Sequence, residues 1–134
     1  MARKRLTVYL AGSWTQREKL RVIRAQLDTL GLHVRSQWLD FNCGYYDQDF
    51  RVEAERDYND IRRSDFLILD TDDIDTKGGR DWEAGYATGI GKRVLRVGPV
   101  ITPFHAVIPL GFASWETCLA YLATAIEHAD AKNN

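Results

Sequence analysis

The chain has 134 residues and a mass of 15.4 kDa, so we expect a single domain that covers residues 1–134. Apolar residues make up 45% of the chain and charged residues 28%, proportions that are ordinary for a folded protein and exclude an intrinsically disordered one. The formal net charge of −1 provides no basic surplus, which argues against binding to duplex nucleic acid or to a membrane surface.

Short apolar runs alternate along the chain with longer segments of helical periodicity. In chain order, the pattern predicts a strand at 6–11, a helix at 15–30, a strand at 33–39, a helix at 51–63, a strand at 66–69, a helix at 80–90, strands at 94–97 and 110–112, and a helix from 114 to about 128. The last residues, 129–134, are expected to fray. The alternation predicts an α/β protein of the flavodoxin-like or Rossmann-like kind, with about five parallel strands and helices on both faces.

Local signals support two of the predicted helices. Thr15 and Glu18 have the spacing of a capping box at the start of the first helix, and Gly31 is its expected stop. The core face of the second helix is predicted to consist of Ala54, Tyr58 and Ile61.

Carboxylates near the predicted strand ends are the candidate catalytic groups, because ligands bind at the carboxyl ends of parallel strands. Glu83 lies one turn into the third helix, where the helix dipole is expected to keep it ionised. Asp57 falls at the edge of the core face of the second helix, whereas Glu53 and Asp60 are predicted to point toward solvent. Tyr9, in the first strand, can deliver its hydroxyl to the same cleft. A positioned carboxylate with a second proton-handling group suits covalent attack at an anomeric carbon.

The turn after the first strand is a candidate anion site. Gly12 and Ser13 precede a helix start, and Arg17 and Lys19 lie in its first turns, within reach of a phosphate. An ordinary turn with solvated cations is an equally good interpretation of the same residues. Two aromatic residues that follow the first two strands, Trp14 and Trp38, can stack on a planar base.

Other chemistry finds little support in the sequence. Segment 85–92 resembles a phosphate loop only superficially, because Tyr86 stands in place of its first glycine and Arg93 in place of its Ser/Thr. The three histidines are scattered and the acidic segment 70–75 lacks a calcium-loop pattern, so no metal is expected. Cys43 and Cys118 show no metal or redox spacing, which favours reduced thiols and a cytoplasmic protein.

Three segments together resemble the nucleoside 2-deoxyribosyltransferase family. They are V-Y-L-A-G-S at 8–13, D-Y-N-D-I-R-R-S-D at 57–65 and R-D-W-E-A-G-Y-A-T-G-I-G-K-R-V at 80–94. The last matches the family's E-x-G-x-A-x3-G-K-x-V signature. The resemblance implies a double displacement at an N-glycosidic bond, with Glu83 as nucleophile, Asp57 assisting departure of the base, and Tyr9 orienting Glu83. It implies no cofactor, a small-molecule nucleoside or nucleotide substrate, and a homo-oligomer with shared active sites.

The substrate-binding residues are expected near the strand ends and the start of the third helix: Gly12, Ser13, Trp14, Arg17, Trp38, Asp40, Thr76, Gly78, Gly79 and Asp81. The family usually places Asp or Ser six residues before the nucleophile, and this chain has Lys77 there. Thr76, Asp75 or Asp81 can substitute for that group. Ser13 and Arg17 resemble the phosphate-gripping pair of a related branch that hydrolyses deoxynucleoside 5′-monophosphates. Transferase, hydrolase and, on the same fold, a non-catalytic nucleotide-binding or protein-interaction module all remain alternatives.

Overall fold

A computed structural model of the chain describes residues 5–41, 49–74 and 77–133. Five parallel strands form one sheet in the order β2-β1-β3-β4-β5. The strands are β1 (Thr7–Ala11), β2 (His33–Val34), β3 (Phe66–Asp70), β4 (Arg93–Val97) and β5 (Leu110–Phe112). The helices are α1 (Arg17–Thr29), α2 (Phe50–Arg62), α3 (Gly79–Gly89), α4 (Pro103–Ala106) and α5 (Trp115–Asn133). This is the flavodoxin-like strand order, so the predicted fold class is confirmed.

The core lies on both faces of the central strands. Right-handed crossovers place α1 and α5 on one face and α2 and α3 on the other, and each of these two pairs is in contact. The apolar runs of β1 and β3 are covered on both sides, and Leu10 and Ile68 are fully buried. The carboxyl ends of β1 and β3 lie side by side, so the loops that follow them meet at one edge of the sheet.

The prediction of a strand over 33–39 is wrong after Val34. The chain leaves the sheet there and forms a 3-10 turn at Gln37–Asp40. Two side chains attach this segment to β1 instead of a backbone ladder: the Ser36 hydroxyl accepts from Leu10 N at 2.7 Å, and the Trp38 indole donates to Leu10 O at 2.9 Å. Polar side chains therefore satisfy backbone groups that a longer β2 would have paired.

The predicted capping box of α1 is also wrong. A 3-10 turn, Trp14–Gln16, precedes α1, and the cap residue Gln16 makes no side-chain hydrogen bond to it. The Thr15 hydroxyl donates instead to Asp73 in the loop after β3. A contact between distant segments has replaced the local cap.

The predicted core face of α2 is partly wrong. Ile61 is buried and Tyr58 partly buried, but Ala54 is exposed. Asp60, which was expected to face solvent, is completely buried. Its carboxylate accepts from Gln37 N at 3.0 Å and from Gln37 Nε2 at 2.8 Å, which gives the buried charge two donors.

The last part of the chain holds more helix than predicted. The segment between β4 and β5 contains α4, with Pro103 in its first turn and the Thr102 side chain accepting from His105 N. Helix α5 continues to Asn133, so the expected fraying from residue 129 is not found in residues 129–133. The end of α5 contains alanine and lysine, which are strong helix formers, and no glycine or proline interrupts it.

Candidate active site

The three predicted catalytic residues lie on three different elements of the fold. Tyr9 comes from the buried strand β1, Asp57 from the middle of α2 and Glu83 from the second turn of α3. The Tyr9 hydroxyl donates to Glu83 Oε2. Tyr9 is completely buried, whereas Asp57 and Glu83 keep part of their side chains exposed, so both carboxyls border an accessible space.

The backbone before α3 explains why Glu83 points into this space. Gly78 precedes the helix with a φ of 89°, a left-handed conformation that side chains other than glycine rarely adopt. The chain can therefore turn sharply from the loop after β3 into α3. Glu83 then follows within the second turn, against the strand that carries Tyr9.

Burial and mutual repulsion set the ionisation of the two carboxyls. Burial, followed by the negative charge of Asp57, raises the pKa of Glu83 to about 8, although the Tyr9 hydrogen bond and Arg56 act in the opposite direction. Burial also raises the pKa of Asp57 to about 6, against the lowering effect of Arg56. The prediction that the helix dipole keeps Glu83 ionised is therefore wrong for the unliganded protein at neutral pH. Between about pH 6 and pH 8, the two carboxyls together hold one proton.

The hydroxyl of Tyr9 stays protonated in this environment. Burial raises the pKa of Tyr9 well above its ordinary value, and the charges of Glu83 and Asp57 raise it further. Tyr9 is therefore a hydrogen-bond donor to Glu83 and not a base.

Arg56 is a member of the site that sequence analysis missed. Its Nε and Nη2 both lie 3.4 Å from Asp57 Oδ1, and its guanidinium lies 4.1 Å from the centre of the Phe41 ring. Helical periodicity does not single out Arg56. The placement of its guanidinium depends on a contact with Phe41, which follows the 3-10 turn after β2. An arginine directly before a candidate catalytic carboxylate is the only signal in the sequence.

The predicted anion site after β1 is occupied by contacts within the protein. The Ser13 hydroxyl donates to Asp73 Oδ2 at 2.7 Å, and the Thr15 hydroxyl donates to the same oxygen at 2.5 Å. Arg17 donates to the backbone oxygens of Trp14 and Phe41. Asp73 is a second residue that sequence analysis did not select.

Lys19 is likewise committed to carboxylates. Its Nζ lies 2.8 Å from Oδ2 of the buried Asp70 and 3.3 Å from Oδ2 of the exposed Asp72. The Asp70 carboxylate also accepts from the Trp115 indole at 2.7 Å. This network connects α1, β3 and α5 at the edge of the sheet.

The two tryptophans predicted to stack on a base lie against each other. Their ring centroids are 6.4 Å apart with a tilt of 34°. Trp38 is buried and packs into the core, whereas Trp14 is partly buried, with the Arg17 guanidinium 3.8 Å above its ring. Of the two, Trp14 is the one placed closer to solvent.

The remaining predicted binding residues are dispersed. Gly12 packs closely against α1, since an added Cβ would lie 2.7 Å from Leu20 Cδ1. Asp40 is exposed and forms an ion pair with Arg24 at 2.9 Å. Gly79 is the first residue of α3, and Gly78 is the residue before it. Thr76 and Asp75 lie outside the described residues.

Asp81 contacts a histidine rather than the carboxyl pair. Its Oδ1 lies 2.7 Å from Nε2 of the buried His105. Nδ1 of His105 accepts from Ile101 N at 3.1 Å, so in a neutral ring Nε2 carries the proton and donates to Asp81. The contact joins α4 to the start of α3.

Among residues 5–41, 49–74 and 77–133, no group of three or more His, Cys, Asp or Glu side chains is placed to hold a metal ion. Within the same part of the chain, no helix is both long and apolar enough to cross a membrane.

The fold and the site define a parallel α/β protein in which two partly exposed carboxyls lie beside a buried phenol. The sequence profile of the nucleoside 2-deoxyribosyltransferase family matches residues 8–133. Since this match spans nearly the whole chain, the protein belongs to the nucleoside 2-deoxyribosyltransferase family, which is a family of enzymes. No curated protein sequence matches the chain significantly.

Several solved structures are similar to the chain in fold. A 2-deoxyribosyltransferase from Bacillus psychrosaccharolyticus is 22% identical with a TM-score of 0.68, over 87% of this chain and 95% of that one. A CMP N-glycosidase from Clostridium botulinum is 19% identical with a TM-score of 0.59, over 89% of this chain and 98% of that one. A 2-deoxyribosyltransferase from Leishmania mexicana is 16% identical with a TM-score of 0.68, over 89% and 97% of the two chains.

Proposed function

We propose that this enzyme cleaves the N-glycosidic bond of a (deoxy)nucleoside by double displacement, with Glu83 as the nucleophile. The observation that carries the proposal is the contact between the Tyr9 hydroxyl and Glu83 beside Asp57. This arrangement combines a carboxylate that can attack with a second carboxyl that can donate a proton.

In the first step, an oxygen of ionised Glu83 attacks the anomeric carbon, and the bond from that carbon to the base nitrogen breaks. The electron pair of this bond leaves with the base, which takes a proton from Asp57. In the second step, an acceptor base or water attacks the glycosyl-enzyme, loses a proton to Asp57 and releases Glu83. Two inversions at the same carbon give net retention.

The number of protons that Asp57 and Glu83 hold together agrees with these two steps. The reaction needs one ionised carboxyl and one protonated carboxyl at the start. Between about pH 6 and pH 8, the pair holds the single proton that this requires. In the unliganded protein the higher pKa belongs to Glu83, so substrate binding must transfer the proton toward Asp57. A departing base that accepts a hydrogen bond from Asp57 favours that transfer.

Tyr9 contributes by orientation. Its hydroxyl comes from a rigid, completely buried strand and holds one oxygen of Glu83. The other oxygen is then directed toward the space in which the sugar binds. A nucleophile held in this way needs less reorganisation to reach the transition state.

The contacts of Ser13 favour an unphosphorylated substrate. A phosphate placed against Ser13 would meet the Asp73 carboxylate, which accepts from the same hydroxyl. Arg17 and Lys19, the cations expected to hold such a phosphate, already donate to protein oxygens. If a 5′-monophosphate is the substrate, Ser13 and Arg17 must exchange these contacts for the phosphate.

We also propose that the enzyme acts as a homo-oligomer. A groove of about 1330 Å³ lies between α3, the helix that carries Glu83, and the segment around α4. Large apolar side chains at its edges are strongly exposed, Trp82 at 70%, Phe104 at 80% and Val107 at 76%. Apolar surface of this kind is typical of a subunit interface, and the near-neutral chain lacks the charge that would keep copies apart.

A substrate panel tests the proposed function. The protein is incubated with deoxynucleosides and ribonucleosides and with their 5′-monophosphates, with and without a second base, and the products are separated by chromatography. We expect release of free base from a nucleoside, and base exchange if the enzyme is a transferase. Hydrolysis of monophosphates alone would assign it to the nucleotide hydrolase alternative. Binding without any cleavage across the panel would contradict the proposal and favour a non-catalytic binding module.

A further inference from the structure

The carboxyl pair lies in a strongly acidic environment. The charged groups that act on Asp57 or Glu83 all come from α2: Glu53, Arg56, Asp57 and Asp60. Asp60 is completely buried and raises the pKa of both carboxyls, while Glu53 raises that of Asp57. Within the described residues, Arg56 is the one cation among these groups. Its charge therefore opposes the repulsion of several carboxylates.

The position of Arg56 is built into the fold. Only 17% of its side chain is exposed, and its guanidinium lies over the Phe41 ring while two of its nitrogens face Asp57 Oδ1. Phe41 is itself fixed, because Arg17 donates to its backbone oxygen. A cation held between an aromatic face and a carboxylate loses little additional freedom when it acts.

We propose that Arg56 is a positioning residue of the reaction, acting as the fixed counter-ion of the Asp57–Glu83 pair. This inference rests on the proposed function and extends it to a residue outside the reacting groups. The positive charge of Arg56 lowers the pKa of Asp57 through direct contact and that of Glu83 through space. It thereby keeps the pair from taking up a second proton near neutral pH, so that one carboxyl stays ionised.

The pH dependence of activity follows from this role. We expect kcat/KM of the wild type to be bell-shaped, falling below about pH 6 as the pair gains a second proton and above about pH 8 as it loses the last. Arg56 lowers the pKa of both carboxyls, so its removal must move both limbs to higher pH. Loss of one partly screened charge at this range corresponds to a shift of about 1 pH unit.

The experiment compares Arg56→Gln with Arg56→Lys from pH 5 to pH 10. In Arg56→Gln, we expect both limbs of the kcat/KM profile to move up by about 1 unit, with up to about tenfold less activity on the acid limb. Arg56→Lys keeps the charge and should return both limbs to within about 0.3 units of the wild type. Arg63→Gln, an exposed arginine at the end of the same helix, is the matched control and should leave the profile unchanged.

A second measurement keeps the test independent of turnover. The carboxyl carbons of Asp57 and Glu83 are titrated by ¹³C NMR in the unliganded wild type and in the three variants. If no nucleoside is cleaved, the proposed function fails, and this titration alone decides the role of Arg56. Upward shifts in Arg56→Gln that Arg56→Lys reverses support the counter-ion role. Unchanged titrations, or a uniform loss of activity at all pH values that lysine does not rescue, would overturn it.

Discussion

At the scale of single residues, the surroundings of Glu83 disfavour its ionised form. Burial and the negative charge of Asp57 destabilise the ionised form of Glu83, which is why its pKa is raised to about 8. The protein therefore binds a proton on folding that the unfolded chain does not hold at neutral pH. Active-site groups commonly reduce stability in this way, since the arrangement that favours reaction is not the one that favours folding.

Glu83→Gln should separate activity from stability. We expect turnover to fall by about 10³-fold or more, because the variant lacks the attacking carboxylate. Between pH 4.5 and about pH 8, native Glu83 keeps a proton that the unfolded chain has lost, so this group reduces stability as the pH rises. The melting temperature of the variant should therefore fall less between pH 5 and pH 9 than that of the wild type.

Circular dichroism melts at the two pH values and product chromatography provide the measurements. Glu116→Gln, which changes an exposed glutamate in the first turn of α5, is the control. It should match the wild type in turnover and in the change of melting temperature with pH. Activity of Glu83→Gln within about tenfold of the wild type would refute the nucleophile assignment.

Asp73 should determine discrimination against a phosphate on the substrate. We expect the wild type to prefer a nucleoside over its 5′-monophosphate. Asp73→Asn removes the negative charge beside Ser13 and keeps an oxygen acceptor for both hydroxyls. The variant should raise kcat/KM for the monophosphate about tenfold, equivalent to about 1.4 kcal/mol, and leave the nucleoside within about threefold.

Asp72→Asn is the matched control, since Asp72 lies in the same loop but is exposed and faces Lys19. It should change neither value by more than about twofold. If the ratio of kcat/KM for the two substrates is unchanged in Asp73→Asn, Asp73 does not select against phosphate. A wild type that prefers the monophosphate would show the same.

At the scale of elements, buried polar contacts decide where segments begin, end and face. The 3-10 turn after β2 is held to α2 by the Asp60 carboxylate and to β1 by Ser36 and Trp38. The same turn presents Phe41 to Arg56. The geometry of the carboxyl pair thus depends on a segment that contributes none of the predicted catalytic groups.

Asp60→Ala should therefore destabilise the fold. It leaves Gln37 N and Nε2 without their acceptor and opens a void at a completely buried position. We expect the free energy of unfolding to fall by about 1–3 kcal/mol, measured by urea denaturation. Asp28→Ala, which removes an exposed partner of Arg5, should cost less than about 1 kcal/mol. Equal effects of the two variants would contradict a structural role for Asp60.

At the scale of the whole molecule, the distribution of apolar surface is uneven. The sheet is covered on both faces, yet the groove beside α3 remains lined by exposed aromatic and aliphatic side chains. Trp82 and Ala84, the neighbours of Glu83 in α3, line this groove, whereas Glu83 is not among its lining residues. The groove is therefore the surface at which we expect copies of the chain to associate.

Light scattering at micromolar concentration should give a multiple of the 15.4 kDa chain mass. Phe104→Asp places a charge at the most exposed apolar position of the groove and should weaken association at least about tenfold. Val22→Asp places the same charge on the exposed side of α1, away from the groove, and should leave the mass unchanged. A wild type that is monomeric under these conditions would contradict the proposed oligomer.

The sequence by itself determined the elements whose signals are local and repeated. The apolar runs that became β1, β3 and β4, the periodicity of α1 and the glycines at helix ends were sufficient to predict a parallel sheet. The resemblance of three segments to the nucleoside 2-deoxyribosyltransferase family grouped Tyr9, Asp57 and Glu83 in one site. The contact between Tyr9 and Glu83 agrees with that grouping.

Only the tertiary structure decided the contacts between distant segments. The short β2, the burial of Asp60, the Ser13–Asp73 bond and the placement of Arg56 over Phe41 all join residues that are far apart in sequence. The raised pKa of Glu83 has the same origin, since burial and the charge of Asp57 outweigh the helix dipole that the sequence suggested. Periodicity reports which face of an element is apolar. It does not report which buried polar group will find a partner, because that partner is supplied by another element once the chain has folded.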